Sequence, residues 1–123
     1  MVKPKGFTLI ELLVVMAIVA LLLTLVTPNY FARLEQAKEI TLKHDLASMR
    51  DAIDKFHADR ARYPASLDEL VALGYLRALP PDPITGETND WKATPAPEGE
   101  DGVADIHSGA PGQAKDGTHY EDW

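Results

Sequence analysis

The sequence predicts an α+β protein in which one long N-terminal α-helix packs on a small antiparallel β-sheet, with a C-terminal loop after the sheet. Three observations lead to this prediction. Residues 7–26 are almost wholly apolar, and a charged stretch with apolar residues at helical spacing follows them. Two short segments with strand composition, residues 90–94 and 103–107, come near the C-terminus. The long helix is therefore expected to have a transmembrane half and an amphipathic half.

The apolar run is long enough to cross a membrane. Only three polar side chains interrupt it, those of Thr8, Glu11 and Thr24. About 20 apolar residues in a helix span the ~30 Å hydrocarbon core of a bilayer. We therefore expect residues 7–27 to form a membrane-inserted helix.

The charges around this run predict its orientation. Lys3 and Lys5 precede it, and no acidic residue comes before Glu11. Because positive residues favour the cytoplasmic side, the N-terminus is expected in the cytoplasm and the rest of the chain outside it. A cleavable secretory signal is disfavoured, because the run exceeds the usual apolar length and no small-x-small site follows it. An ordinary anchor would leave Glu11, which costs about 2.5–3.5 kcal/mol at a membrane centre, without a role.

An amphipathic helix is predicted to continue the spine over residues 28–62. Its apolar positions are spaced four, three, four and three residues apart, which places them on one face, and they are Leu42, Leu46, Met49, Ile53 and Phe56. Leu34 is expected to share this face. Because Pro64 restricts the residue before it, the helix is expected to end near Arg62.

Pro28 lies where the two halves of the helix meet. Its nitrogen cannot donate a hydrogen bond to Thr24, and its ring crowds the preceding turn. We expect a kink or a locally unwound segment there. The alternative is a break between the anchor and a separate helix.

The remaining residues, 63–123, are predicted to form a small C-terminal head. Ser66 and Glu69 have the spacing of a capping box that opens a short helix, and Gly74 is expected to close it. The two segments named above would supply the antiparallel sheet. Two tryptophans are expected to anchor the core and the loop over the long helix, and these are Trp91 and Trp123.

Composition excludes several classes of function. The chain has no cysteine and a formal charge of −7, and from Asp82 onward it has ten acidic residues against two lysines. Nucleic acid is an unfavourable partner for such a surface. The sequence contains no nucleophile elbow and no phosphate-binding glycine loop, so nothing in it indicates an enzyme.

Residues 6–11, Gly-Phe-Thr-Leu-Ile-Glu, follow a short basic leader and begin the apolar run. This pattern resembles the class III signal of type IV pilins and type II secretion pseudopilins. The resemblance implies that a prepilin peptidase removes residues 1–6 by cutting after Gly6 and methylates the new N-terminus, Phe7. It also implies that Glu11 pairs with that N-terminal amine during subunit docking. Such pairing would offset the cost of placing each charge in a membrane.

The stretch GYLRALPPDP, which begins at Gly74, and the missing cysteines resemble the major pseudopilins, the G subunits of the type II secretion system. The resemblance implies a pilin-like fold and a structural subunit of a periplasmic filament that drives protein secretion. The implied partners are further copies of the chain, other pseudopilins, the prepilin peptidase and an inner-membrane assembly platform. The implied location is the bacterial inner membrane, from which the subunit is extracted into the filament.

Two other functions remain open at this stage. The chain could be a type IV pilin or minor pilin of a surface fibre for adhesion, motility or DNA uptake. It could instead be a membrane-anchored calcium-binding module that never polymerises.

The segment of residues 108–123 has few apolar side chains of its own. The family resemblance implies that calcium orders it, held by oxygen ligands of the kind that this ion prefers. By position Asp116 is the best matching carboxylate, and Ser108 and Asp122 are further candidate ligands. A zinc site is a less favoured alternative, because neither the spacing of His107 and His119 nor any cysteine supports tetrahedral coordination. Asp105 and Asp116 would be the carboxylates of such a site.

Overall fold

The structure is a computed structural model that describes residues 6–123 of the chain. It is an α+β fold, as the sequence predicts. Its elements, in chain order, are helix α1 (Leu9–Arg60), helix α2 (Leu67–Ala72), strand β1 (Lys92–Pro95), strand β2 (Val103–His107) and a 3₁₀ turn (Tyr120–Asp122). The chain separates into two compact units, the first ending at Glu35 and the second covering Gln36–Trp123. Helix α1 contributes to both units.

In the first unit, the apolar side chains of α1 are exposed. The large apolar residues between positions 7 and 26 range in exposure from 46% for Val19 to 90% for Phe7. Among residues 6–123, α1 is the one helix that is long and apolar enough to cross a membrane, by length and composition alone. A helix that is apolar on all sides and unburied by its own chain is typical of a membrane span.

The helix continues without interruption through Pro28. Two threonines beside it use their hydroxyl groups within the helix. Thr24 donates to the carbonyl of Leu21, and Thr27 donates to that of Leu23, each at 2.6 Å. The expected alternatives of an unwound segment or a separate second helix are therefore wrong. A bend without unwinding stays a prediction.

In the second unit, α1 supplies the long side of the core. All five residues of the predicted stripe are at most 2% exposed, and Ala52 joins them at 3%. Their core partners come from α2, the residue before β1, β2 and the C-terminal segment: Leu70, Trp91, Val103, Ile106, Ala110, Ala114 and Tyr120. Leu34, which was expected on the same face, does not join this core, since it is 41% exposed and belongs to the first unit. Helical spacing identified its face but not where the core begins along the helix.

Helix α1 ends at Arg60, two residues before the predicted end at Arg62. Ala61 has a φ of 55°, in the left-handed region, and its amide donates to the carbonyl of His57 at 2.9 Å. A left-handed residue ends an α-helix and turns the chain. The chain therefore leaves the helix before the restriction imposed by Pro64 takes effect.

Helix α2 forms where it was predicted, but its start differs in detail. Ser66 is the N-cap residue, yet its side chain makes no capping hydrogen bond. Glu69 instead accepts a hydrogen bond from the amide of Ala65 at 2.7 Å and pairs with Arg62 at 2.6 Å. The capping box is therefore replaced by an ion pair that ties α2 to the end of α1. Gly74 closes the helix with a φ of 83°, as predicted.

Strands β1 and β2 form a two-stranded antiparallel sheet. Strand β2 has the predicted bounds, whereas β1 begins two residues later than the predicted segment 90–94. The amide of Val103 donates to the carbonyl of Pro64 at 2.8 Å. A Cβ atom on Gly102 would lie 2.7 Å from that carbonyl oxygen. Glycine thus lets β2 pack directly against the chain that leaves α1.

Candidate functional site

The predicted processing signal lies just before α1. Residues 6–8 have no regular secondary structure, and both Gly6 and Phe7 are exposed. The rest of the predicted leader, including Lys3 and Lys5, lies outside the described residues. The predicted cut between Gly6 and Phe7 therefore falls in accessible, non-helical chain.

Thr8 caps the N-terminus of α1. Its hydroxyl oxygen accepts a hydrogen bond from the amide of Glu11 at 3.2 Å, and its carbonyl accepts one from the amide of Leu12 at 3.2 Å. The exposed carboxylate of Glu11 lies in the first turn, where the helix dipole favours negative charge. The role of Thr8 was missed, although the spacing of Thr8 and Glu11 is itself a capping-box signature.

The predicted calcium ligands have separate partners. Ser108 is fully buried and donates to Oδ2 of Asp82 at 2.6 Å. Asp116 is exposed, and its Oδ1 accepts hydrogen bonds from the hydroxyl and amide of Thr118 at 2.6 and 3.0 Å. These bonds lower the pKa of the Asp116 carboxyl below its usual value. Asp122 is exposed in the 3₁₀ turn.

These positions do not make one donor set for a calcium ion. Over residues 6–123, no three or more His, Cys, Asp or Glu side chains are grouped so that they could hold a metal. The hydroxyl of Ser108 is directed to a buried carboxylate, which leaves it poorly placed to serve an ion at the surface. Calcium binding by Asp116, Ser108 and Asp122 stays a prediction that these contacts do not support.

The two histidines of the zinc alternative also have different partners. Nδ1 of His107 lies 2.6 Å from the carbonyl oxygen of Trp123, and its Nε2 lies 3.6 Å from Oδ2 of Asp105. Nε2 of His119 lies 3.4 Å from the side-chain amide of Gln113. These contacts do not support a shared zinc site.

Arg50 connects α1 to β2 and to the C-terminal residue. Its Nε donates to Oδ1 of Asp105 at 2.8 Å, and one terminal nitrogen donates to the main-chain oxygens of Ile106 and Trp123, each at 2.8 Å. Burial is the largest single influence on the Asp105 carboxyl and raises its pKa, but the hydrogen bonds from the Ile106 amide and Arg50 together hold the pKa below its usual value. Sequence reasoning missed Arg50, because it is one of many charged residues beside the buried stripe.

Asp82 is a second residue that the sequence did not single out. It is fully buried, with Oδ2 accepting from Ser108 and Oδ1 accepting from the amide of Ile84 at 2.9 Å. The Ser108 hydroxyl oxygen also accepts from the amide of Ala110 at 3.1 Å. Buried carboxylates need such partners. An acidic residue between two prolines was the available signal for this role.

The two tryptophans act as the sequence predicts. Trp91 is 9% exposed, and its indole N–H donates to the carbonyl of Pro80 at 2.9 Å. The ring of Trp123 lies under the ammonium of Lys43 at 4.6 Å and meets Tyr120 edge to face at 5.2 Å. Trp91 therefore anchors the core, and Trp123 fixes the C-terminal segment against α1.

Comparison with known proteins addresses the family. The family described as the prokaryotic N-terminal methylation motif matches residues 1–27. The type II secretion system core protein G of Klebsiella pneumoniae is 34% identical over 99 residues, covering 68% of this chain and 71% of that protein. This chain belongs to the core protein G family of type II secretion systems.

Two other members of the core protein G family match a larger share of the chain. The protein of Escherichia coli K12 is 30% identical over 125 residues, which cover 89% of this chain and 83% of that protein. The protein of Vibrio cholerae is 31% identical over 127 residues, which cover 90% of this chain and 84% of that protein. No solved structure matches the chain. Because these matches extend well beyond residues 1–27, the similarity to core protein G includes the head as well as the methylation motif.

Proposed function

We propose that this protein is the major pseudopilin of a type II secretion system, a structural subunit that polymerises into a periplasmic filament and drives protein export. The observation that carries the proposal is the combination of an N-terminal methylation motif with a head that also matches core protein G. The same combination disfavours a pilin of a surface fibre, because the methylation motif is shared by both classes whereas the relatives named above are secretion proteins. The role is structural, not enzymatic.

Processing is the first step of this proposal. A prepilin peptidase cuts between Gly6 and Phe7 and methylates the new N-terminus. The match of the methylation motif to residues 1–27 supports this step, as does the exposed, non-helical chain at residues 6–8.

Membrane anchoring is the second step. Residues 7–27 hold the subunit in the inner membrane, with the N-terminus in the cytoplasm and the head in the periplasm. The exposed apolar surface of α1 supports the anchor, and the two lysines before it support the orientation. An assembly platform in the inner membrane then moves the subunit into a filament that also contains other pseudopilins.

Glu11 selects for docked subunits in this proposal. Its carboxylate pairs with the methylated Phe7 amine of a neighbouring copy. The free-energy cost of burying each charge is therefore offset only in the filament. The position of Glu11 in the first turn of α1 keeps it near the end of the apolar helix that such a neighbour would contact.

The test compares Glu11→Val with Glu35→Val, a matched control that removes an exposed acid from the same helix. Glu11→Val should still insert into the membrane, because it removes a costly charge. Its filaments should fall below detection in electron microscopy, since leaving one buried charge without its partner costs about 3–5 kcal/mol per contact. Glu35→Val should assemble as the parent does.

Two results would contradict the proposal. One is a mature chain whose mass does not begin at methylated Phe7. The other is unchanged protein secretion in cells that lack this chain. Filaments of Glu11→Val as abundant as those of the parent would reject the Glu11 pairing alone.

A further inference from the structure

The C-terminal segment, residues 108–123, is ordered although it contains few apolar side chains. The family resemblance implies a calcium ion for this task, yet the predicted ligands do not come together. Three of its residues are buried in the core, Glu39 of α1 accepts two of its hydrogen bonds, and Arg50 holds its last residue, Trp123. The Arg50 cluster is defined here as Arg50, Asp105, Ile106 and Trp123.

The guanidinium of Arg50 collects three oxygen atoms. They are one carboxylate oxygen, from Asp105, and two main-chain oxygens, from Ile106 and Trp123, each at 2.8 Å. Carboxylate and carbonyl oxygens are the ligand types that calcium takes in proteins. The guanidinium of Arg50 thus holds α1, β2 and Trp123 together through oxygen atoms of the types that calcium binds.

Hydrogen bonds extend from this cluster to the predicted calcium ligand. The indole N–H of Trp123 donates to the hydroxyl oxygen of Thr118 at 2.7 Å, and that hydroxyl donates to Asp116 at 2.6 Å. Tyr120, next to Trp123 in space, donates its hydroxyl to Glu39 of α1 at 3.1 Å. The carboxylate of Asp116 is therefore part of a chain of contacts internal to the segment.

Two cationic side chains, those of Lys43 and Arg50, lie beside Trp123. Lys43 lies 4.6 Å from the ring of Trp123 and helps to lower the pKa of Asp116. Arg50 donates a hydrogen bond to the main-chain oxygen of Trp123 at 2.8 Å. A divalent ion near these groups would be repelled by both side chains.

We propose that Arg50 is the cation that orders the C-terminal segment of this pseudopilin, and that the head folds completely without calcium. This inference goes beyond the proposed function, because it concerns how one subunit is held together and not whether subunits polymerise. Its test uses the purified full chain in detergent, so its failure is distinguishable from a failure of filament assembly.

The first arm measures amide hydrogen exchange of residues 108–123 in the parent, with calcium chloride and with a chelator. The amides of Ala114, Lys115 and Tyr120 are suitable probes, since each is hydrogen-bonded. Their exchange rates should agree within about twofold in the two conditions, because binding of calcium to the folded form alone would slow exchange in proportion to its stabilisation. Exchange that is slower by tenfold or more with calcium would overturn the proposal, because it corresponds to a stabilisation of about 1.4 kcal/mol by the ion.

The second arm compares Arg50→Met and Arg50→Lys with Lys55→Met. Lys55 is a matched control, because it is an exposed cation of α1 that pairs with Asp51 at 2.9 Å. Both Arg50 variants should speed exchange of the three probe amides by about tenfold or more, since lysine keeps the charge but cannot reach three oxygens with a planar fork. Lys55→Met should match the parent.

Parent-like protection of the segment in both Arg50 variants would also overturn the proposal. If Arg50→Met does not fold, Arg50→Lys and the calcium comparison on the parent still decide it. Calcium that restores protection to the Arg50 variants while leaving the parent unchanged would support the proposal, since the ion would then replace the lost cation.

Discussion

The two parts of helix α1 contain similar apolar side chains but use them differently. Between residues 7 and 26, every large apolar side chain is at least 46% exposed. Beyond Gln36, the apolar side chains of the predicted stripe are at most 2% exposed. The described chain thus leaves the apolar surface of the first part uncovered, whereas the head buries that of the second part. The comparison shows that an apolar sequence does not by itself decide what an apolar helix packs against.

The strongest way to break this comparison is Phe56→Ala. Phe56 is fully buried and meets Tyr75 edge to face with 5.3 Å between ring centroids. Its truncation should lower the free energy of unfolding of the second unit by about 3–5 kcal/mol, because a cavity is added to the lost burial. Denaturant unfolding of the full chain in detergent, followed by near-ultraviolet circular dichroism, measures this change.

Leu22→Ala is the control for that measurement, since Leu22 is 55% exposed in the first unit. Its unfolding free energy should stay within about 0.5 kcal/mol of the parent. An equal loss of unfolding free energy in the two variants would mean that both parts of α1 contribute to the stability of the head.

A smaller effect is expected from Asp82→Ala, which tests whether the second unit depends on polar as well as apolar burial. The change leaves the buried hydroxyl of Ser108 without its acceptor and should cost about 1–3 kcal/mol in the same unfolding experiment. Asp54→Ala, which removes an exposed acid from α1, should be neutral. A neutral Asp82→Ala would show that water satisfies Ser108 in place of the carboxylate.

The smallest effect concerns the pH dependence of the second unit. The pKa of Asp105 is lower in the folded state, so its contribution to stability is complete above about pH 4, the ordinary pKa of aspartate, and is lost as pH falls through the folded pKa. Since its side chain is 42% exposed, solvent screening keeps that contribution below about 1 kcal/mol. Melting temperatures measured from neutral to acidic pH should fall less steeply below pH 4 in Asp105→Asn than in the parent. If the melting temperatures of the two proteins fall equally below pH 4, Asp105 does not contribute to stability through its ionised carboxylate.

The sequence predicted the parts of the fold that depend on local periodicity. The buried stripe of α1, the bounds of β2 and the role of Gly74 all follow from the spacing of side chains or from one backbone conformation. The early end of α1 at Ala61 and the exposed Leu34 did not follow, because they depend on where the head lies along the helix.

The predicted site residues also divide into those that follow from a local sequence pattern and those that depend on distant contacts. The methylation motif matches residues 1–27, so the predicted roles of Gly6, Phe7 and Glu11 follow from a short contiguous pattern and stay predictions. The contacts of Arg50 and Asp82 join residues far apart in the chain. No local pattern distinguishes Arg50 from the other charged residues of α1, and the two prolines beside Asp82 do not show which residues it contacts. The calcium prediction came from position in a family pattern, which does not show what the neighbouring side chains already bind.

The hydrogen bonds of Thr8 have a consequence for the timing of maturation. Among residues 6–123, Thr8 accepts the two hydrogen bonds that start α1, from the amides of Glu11 and Leu12. The proposed cut after Gly6 would leave both of these bonds intact, so precursor and mature protein can share the same helix start. The peptidase would then need no unfolding step before it cuts, and the subunit could enter assembly immediately, without refolding its N-terminus.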